Sequence, residues 1–204
     1  MKFKISSIIL AAGMSKRMKL GNKLLLKVNN DPIIIKTIRN IIRADFNAVY
    51  LVLGHQEKLI NNIITGLNIK TCYNKNYKNG LSSSIVTGIK KCEKESDGAM
   101  ICLGDMPTIS KKVYNHMLKI FDRKYIKNEP LIVAPIYNKF YGNPILFSKH
   151  FFNKLKNIKG DKGAKEIVTT SKEYIVETHI KDKSILTDID DEKTYNQLIL
   201  NEKK

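Results

Sequence analysis

Residues 10–23 combine small side chains with fixed positive charge in a pattern that suits a polyphosphate. Small residues let the backbone approach a ligand closely and turn its N–H groups toward phosphate oxygens. Arg17 offers a planar fork of donors, and Lys23 offers a point charge. We therefore expect a loop that binds a nucleoside triphosphate, with contacts from Leu10, Ala11, Ala12, Gly13, Ser15, Arg17 and Lys23.

This segment differs from the two best-known glycine loops. It has neither the G-x-G-x-x-G spacing of a dinucleotide fold nor the G-x-x-x-x-G-K-[ST] spacing of a P-loop ATPase. The alternative is a strand-to-turn element whose surface cations are incidental. We favour the binding loop because an apolar strand, small residues and both cations occur together.

Asp105 follows an apolar run and lies on a turn between Gly104 and Pro107. Mg²⁺ prefers a few hard oxygen ligands together with phosphate oxygens and water. A cation held there would neutralise charge that develops on a triphosphate. The alternative is that Asp105 caps the helix after Thr108, and we favour the metal role. With Arg17 and Lys23, Asp105 forms our predicted catalytic set.

A second metal ligand is expected from Asp188 or Asp190. The two carboxylates alternate along the chain, so an extended backbone places both on one side. Either residue could instead cap the last helix, and Asp190 suits that role. Both interpretations stay open at this point.

Three serines begin a segment with helical periodicity at residues 81–92. Free N–H groups and hydroxyls at a helix start suit a phosphate, a ribose or a base. We expect Ser82 and Ser83 to contact the nucleotide, although simple capping would explain one of the three serines.

Short β-branched runs alternate with stretches of helical period, which is typical of a mostly parallel sheet covered by helices on both faces. We expect an α/β fold, a Rossmann-like three-layer sandwich, in which ligands bind beyond the carboxyl ends of the strands. The expected strands are 5–10, 48–53, 69–73, 98–103, 131–135 and 174–178, and the expected helices are 32–43, 81–92, 110–121 and one that ends near 200.

A chain of 204 residues with 43% hydrophobic content is expected to form a single domain, residues 1–204, around one core. The segment 137–163 interrupts the alternation of strands and helices, and we expect it to be an insertion on the acceptor side of the sheet. Three cysteines show no metal-ligand spacing, and we interpret Cys72 and Cys102 as buried small apolar residues.

The formal charge of +17 raises the hypothesis of a nucleic-acid partner. The lysines are spread along the chain without an aromatic platform, so we expect a solvated surface and no nucleic acid. No apolar window is long enough to cross a membrane, and the N-terminus lacks the pattern of a signal peptide. We expect a cytoplasmic protein without a membrane partner.

Six short motifs occur along the chain, in this order: Leu10-Ala11-Ala12-Gly13-x-Ser15-x-Arg17-Met18 with Lys23, Asn79-Gly80-Leu81-Ser82-Ser83-Ser84, Gly104-Asp105-Met106-Pro107, Gly142-Asn143-Pro144-Ile145-Leu146-Phe147, Gly160-Asp161-Lys162-Gly163-Ala164 and Asp188-Ile189-Asp190. Together they resemble the MobA-like nucleotidyltransferases, and most of all the branch that transfers cytidylyl groups to molybdenum cofactor. The first motif occurs in many nucleotidyltransferases, and the combination is narrower. The resemblance implies a fold like that of the nucleotide-diphospho-sugar transferases.

The resemblance also implies the substrates. Mg²⁺ is the expected cofactor, CTP the expected donor because of Ala12, and molybdopterin the acceptor, contacted by Asn143, Pro144 and Asp161. A molybdenum hydroxylase would then receive the product. The chain departs from the family pattern at two positions. Lys19 replaces a residue that is usually glycine, and Lys165 replaces one that is often arginine. The alternatives are a sugar-phosphate or alditol-phosphate acceptor, or a non-catalytic module that binds nucleotide or nucleic acid.

Overall fold

The structure is a computed structural model that describes residues 1–160 and 163–201, with side chains to residue 200 at the C-terminus. Its strands are β1 (Ile5–Ala11), β2 (Lys27–Val28), β3 (Asp31–Pro32), β4 (Ala48–Leu53), β5 (Lys70–Tyr73), β6 (Gly98–Leu103), β7 (Ile132–Tyr137), β8 (Phe140–Tyr141), β9 (Ile145–Ser148) and β10 (Ile175–His179). Its α-helices are α1 (Ile33–Ile42), α2 (Glu57–Ile63), α3 (Leu81–Cys92), α4 (Lys111–Lys124), α5 (Phe152–Asn157), α6 (Lys165–Thr170) and α7 (Glu192–Asn201).

The described residues form an eight-stranded sheet with the order β10-β7-β9-β6-β1-β4-β5, and β8 pairs with β7 at one end. Strands β6, β1, β4 and β5 run parallel, as does the pair β10 and β7. Strand β9 runs antiparallel to both of its neighbours. The prediction of a mostly parallel sheet is confirmed.

The alternation of side chains along β1 explains the three layers. Ile5, Ile9 and Ala11 belong to one apolar cluster, and Ile8 and Leu10 belong to the cluster on the opposite face. Helices α1, α2 and α4 supply buried residues to the first cluster, and α3, α5 and α6 supply the second. Because successive strand residues point to opposite faces, both faces of this buried strand must be covered by helices.

The segment 137–163 has a larger part in the sheet than its turn-rich sequence indicates. It contributes strand β9, which lies between β6 and β7 near the middle of the sheet. Within this segment, Asp161 lies outside the described residues, so its expected contact with the acceptor stays a prediction.

The cysteines behave as the sequence predicts. Cys72, Cys92 and Cys102 are free and buried. Burial raises the pKa of the Cys72 thiol to about 11 and that of Cys102 to about 12, so both stay protonated at neutral pH. Within the described ranges, no helix has the length and apolar content that a bilayer crossing requires.

Candidate active site

Strands β1 and β6 are parallel neighbours, so their carboxyl ends bring two chemically active loops together. Leu10 pairs with Leu103 in the register, and the Gly104 N–H donates to the Leu10 carbonyl at 3.0 Å. A Cβ at Gly104 would lie 2.9 Å from that same carbonyl oxygen. A side chain at Gly104 would therefore push Asp105 away from the loop after β1.

A cavity of about 380 Å³, here called the nucleotide cavity, opens at this edge of the sheet. Its walls are Leu10, Ala11, Ala12, Gly13, Met14, Ser15, Lys16, Arg17, Lys23, Leu24, Tyr77, Lys78, Gly80, Leu81, Ser84, Leu103, Asp105 and Asp190. The structure thus brings together every residue that the sequence predicts for the loop after β1. It adds Tyr77 and Lys78 from the turn before α3, which the sequence alone did not indicate.

The loop after β1 is closed by hydrogen bonds centred on Ser15. Ser15 adopts a left-handed conformation, with φ of 52°, and its carbonyl accepts the Met18 N–H at 2.9 Å. The Ser15 hydroxyl oxygen accepts the Lys23 N–H at 3.2 Å. Met18 is buried against Ile189 and its neighbours, which holds the far side of the loop. Arg17 and Lys23 therefore start from fixed backbone positions.

Asn22 is a further residue of this loop that the sequence reasoning missed. It is buried, and its side-chain carbonyl caps the 3-10 turn Lys23–Leu25 by accepting the Leu24 N–H at 3.1 Å. The same oxygen accepts the Ser15 hydroxyl at 3.4 Å. An asparagine directly before Lys23 is a recognisable capping residue, and that signal could have identified it.

Three carboxylates lie close together at the edge of this cavity. Asp105, Asp188 and Asp190 each offer one oxygen, and these oxygens lie within 4.8 Å of one another. Lys23 Nζ lies 2.5 Å from Asp105 Oδ2 and 2.8 Å from Asp190 Oδ1, and Arg17 adds a contact to Asp190 at 2.9 Å. Carboxylate oxygens are the hard ligands that Mg²⁺ and Mn²⁺ prefer. In this structure the positive charge beside them is the Lys23 ammonium group.

The cluster changes the acidity of its members in opposite directions. Burial, together with the charges of Asp190 and Asp105, raises the pKa of Asp188. Burial alone would raise the pKa of Asp190 too, but Lys23 and Arg17 hold it below its ordinary value. Burial would lower the pKa of Lys23, and its two carboxylate partners outweigh this effect and raise it. Lys23 is therefore a permanent cation at neutral pH.

The sequence left open whether Asp188 or Asp190 is a metal ligand or the cap of the last helix, and the structure gives the capping role to the next residue, Asp191. The N–H of Thr194, in the first turn of α7, donates to the carboxylate of Asp191 at 2.8 Å, so Asp191 caps that helix. Asp190 instead faces Lys23 and Arg17. The Ile189 N–H donates to the Asp105 carbonyl at 3.1 Å and ties the two acidic segments together.

The serines at the start of α3 have different surroundings. Ser82 is buried, and its N–H donates to the Gly160 carbonyl at 3.1 Å. The Ser83 hydroxyl donates to the Gly80 carbonyl at 2.8 Å. Neither residue is part of the nucleotide cavity wall, whereas Ser84 is. Nucleotide contacts by Ser82 and Ser83 stay predictions, and Ser84 joins the candidates.

A second cavity of about 220 Å³, here called the acceptor cavity, adjoins the first. It is lined by Leu10, Leu81, Ile85, Ile101, Leu103, Asn143, Ile145, Gly163, Ala164, Lys165 and Asp188. Asn143 is fixed by its N–H, which donates to the Ile185 carbonyl at 2.8 Å. Pro144 follows it through a cis peptide bond and is buried, outside the wall of this cavity. Leu10, Leu81 and Leu103 line both cavities.

Comparison with known proteins identifies the family. Residues 7–175 match the MobA-like NTP transferase domain. The chain belongs to the MobA-like NTP transferase family. The predicted resemblance to the MobA-like family is confirmed, and the chain is a nucleotidyltransferase of the MobA-like type. Its place in the cytidylyl-transferring branch stays a prediction.

Individual relatives agree with this membership. The chain is 23% identical over 151 residues to the probable molybdenum cofactor guanylyltransferase of Thermococcus sibiricus (strain DSM 12597 / MM 739), which covers 73% of this chain and 71% of that protein. Among solved structures, Rv0371c from Mycobacterium tuberculosis H37Rv superposes with a TM-score of 0.86 at 21% identity, covering 97% of each chain. The structure of Rv0371c in complex with manganese superposes with a TM-score of 0.82 at 20% identity, covering 97% of this chain and 98% of that one. The two structural matches show the shared fold.

Proposed function

We propose that this enzyme transfers CMP from CTP to the phosphate of molybdopterin cofactor and releases pyrophosphate. The observation that carries the proposal is the arrangement of the two cavities, which adjoin at Leu10 and Leu103. One is lined by the loop and its cations, and the other is mostly aliphatic. Two substrates bound in them would meet at the carboxyl ends of β1 and β6.

In this mechanism the triphosphate binds across the loop after β1. Backbone N–H groups near Gly13 and Ser15 and the charges of Arg17 and Lys23 hold its oxygens. An oxygen of the acceptor phosphate attacks the α-phosphorus in line, and the bond from the α-phosphorus to the bridging oxygen of the pyrophosphate breaks. A phosphate is already a nucleophile at neutral pH, so catalysis depends on positioning and charge stabilisation.

Asp105, Asp188 and Asp190 would hold Mg²⁺ between the two cavities. Asp105 and Asp190 line the nucleotide cavity, and Asp188 lines the acceptor cavity. When bound, the ion would supply positive charge to phosphate oxygens of the reacting group. The related Rv0371c structure was solved in complex with manganese, which supports a divalent ion for this chain as well.

The acceptor assignment is supported by the chemistry of its cavity. Most of the lining side chains are aliphatic, and the polar ones are Asn143, Lys165 and Asp188. The aliphatic side chains can pack against the flat face of a pterin, and the three polar residues can bind the polar groups at its edge. Lys165 supplies a cation for an acidic acceptor. The relative from Thermococcus sibiricus also carries a molybdenum cofactor name.

The choice of CTP rests on Ala12, which lines the nucleotide cavity. Alanine at this position resembles the cytidylyl branch of the family, whereas guanylyl-transferring members often carry glycine there. The guanylyltransferase relative makes GTP the competing donor. The product would pass to a molybdenum hydroxylase.

The test is to incubate the purified protein with Mg²⁺, molybdopterin and each of the four triphosphates and to measure pyrophosphate release. We expect kcat/KM for CTP to exceed that for GTP by about tenfold or more. A preference for GTP would reverse the base assignment while leaving the transfer reaction intact. The absence of molybdopterin-dependent release with every triphosphate would refute the proposed function.

A further inference from the structure

Lys23 makes the closest contacts in the charge cluster at the edge of the nucleotide cavity. Its Nζ lies 2.5 Å from Asp105 and 2.8 Å from Asp190, and only 17% of its side chain is exposed. These are two of the three carboxylates that we propose as metal ligands. The ammonium thus occupies the space between two of them.

An ammonium and a divalent cation compete for these oxygens. Lys23 already occupies one oxygen of each of these carboxylates. Mg²⁺ contacts carboxylate oxygens at about 2.0–2.1 Å, so an ion bound to the same two carboxylates would lie close to the ammonium. Two positive charges at that separation repel each other in a partly buried site. Metal binding at Asp105 and Asp190 is therefore strongest when Lys23 has left them.

The charge balance of the cluster points in the same direction. Three carboxylates face the two cations Lys23 and Arg17, which leaves one net negative charge for an entering ion. Arg17 lies mostly in solvent, with 72% of its side chain exposed, so its effect is screened. Lys23 is the cation whose removal would change the attraction most.

A triphosphate provides Lys23 with a second partner in the same cavity. Lys23 lines this cavity together with Gly13, Ser15 and Arg17, the residues expected to hold phosphate oxygens. Its four-carbon stem is flexible, while its backbone is fixed by Ser15. Leaving the carboxylates without another anion would strand a buried charge, and phosphate oxygens remove that cost.

We propose that Lys23 couples metal binding to triphosphate binding: it neutralises Asp105 and Asp190 until a triphosphate draws its ammonium away and a divalent cation replaces it. The inference rests on the proposed function, from which it takes both ligands. Such coupling is reciprocal, so the bound metal raises triphosphate affinity by the same factor. The metal alone should bind weakly.

The experiment titrates the full chain with Mn²⁺ in the absence of nucleotide and follows free Mn²⁺ by its electron paramagnetic resonance signal. Lys23→Met keeps a long apolar side chain and removes the charge. It should bind Mn²⁺ at least about tenfold more tightly than the wild type, within the range of coupled sites. Lys16→Met is the matched control, since Lys16 lines the same cavity without an ion pair among the described residues, and it should change affinity much less.

A second substitution locates the bound ion. Adding Asp105→Asn to Lys23→Met should remove the gain. If Lys23→Met binds Mn²⁺ no more tightly than the wild type, yet Asp105→Asn weakens binding, the coupling is refuted and the metal site stands. If Asp105→Asn has no effect in either background, the metal site is refuted and the coupling with it, while the transfer reaction is still tested separately by pyrophosphate release. Lys23→Gln, checked by circular dichroism, repeats the measurement should the methionine variant unfold.

Discussion

Asp105 is a buried carboxylate whose position is set by several separate parts of the chain. Lys23 pairs with its side chain, and the Ile189 N–H donates to its backbone carbonyl. The Thr37 hydroxyl holds the preceding Gly104 carbonyl at 3.0 Å. Since two of these contacts are made to the backbone, the backbone position of this residue does not depend on its side-chain charge. The carboxylate can therefore exchange Lys23 for a ligand without moving the chain.

Replacing that carboxylate with an amide of equal size should separate chemistry from folding. We expect Asp105→Asn to lower kcat by about 10²-fold or more, by analogy with the loss of a single charge-stabilising group at other active sites. Lys23 keeps Asp190 as a partner, so the melting temperature should change little. Pyrophosphate release in Mg²⁺ measures the first quantity, and thermal unfolding measures the second.

Asp45→Asn provides the control for this prediction. Asp45 is exposed, on the short connection between α1 and β4, and does not line either cavity. The control should leave kcat and melting temperature at their wild-type values. Wild-type turnover by Asp105→Asn would contradict a metal role for this carboxylate.

At the scale of elements, the local sequence pattern was sufficient to predict a strand or helix whose formation depends mainly on its own residues. Strand β1 and helix α3 match their predicted ranges closely. The strand is a short run of buried residues, and the helix has apolar residues at helical spacing over several turns. Strand β9 was missed. It has four residues and follows a Gly-Asn-Pro turn, and its state depends on pairing with β6 and β7, which are distant in sequence.

The same distinction holds inside the site. The loop after β1 was predictable because its residues are adjacent in sequence and share one chemical character. Whether Ser82, Ser83 or Ser84 faces the cavity depends on the rotation of α3, about 100° for each residue, which the sequence does not set. Tyr77 and Lys78 were missed because they reach the cavity only through the packing of the turn before α3.

Hydrogen bonds join Ser15 and Asn22 to the 3-10 turn Lys23–Leu25, and they lead to a prediction about this loop. Asn22→Leu keeps the side-chain volume and removes the oxygen that caps the turn. We expect it to raise KM for the triphosphate severalfold, because Lys23 and Ser15 lose their fixed positions. The lost cap should cost about 1 kcal/mol of stability. Steady-state kinetics and thermal unfolding measure the two effects.

Asn22→Ser distinguishes positioning from general destabilisation. Serine retains an uncharged acceptor oxygen for the Leu24 N–H and is a comparable cap, so KM for the triphosphate should stay near the wild-type value. A stability loss in Asn22→Leu with an unchanged KM would show that Asn22 supports only the fold.

For the molecule as a whole, the useful property is that one sheet edge carries two adjoining cavities. Asp105 and Asp190 line the nucleotide cavity, and Asp188 lines the acceptor cavity, so the acidic cluster lies at their border. Leu81, the first residue of α3, also borders both. If the two substrates bind side by side, the Leu81 side chain should contact both of them, and its substitution should affect the binding of both.

Leu81→Ala tests that arrangement. Leu81 is 37% exposed, so truncation should cost less stability than in a buried core position, about 1 kcal/mol or less. Because the side chain borders both cavities, we expect KM to rise severalfold for the triphosphate and for the acceptor alike. Leu59→Ala is the matched control on α2, more exposed and away from both cavities, and its kinetics should match the wild type. A change confined to one KM would mean that the two substrates do not meet at Leu81, and the adjoining cavities would then not be adjoining binding sites.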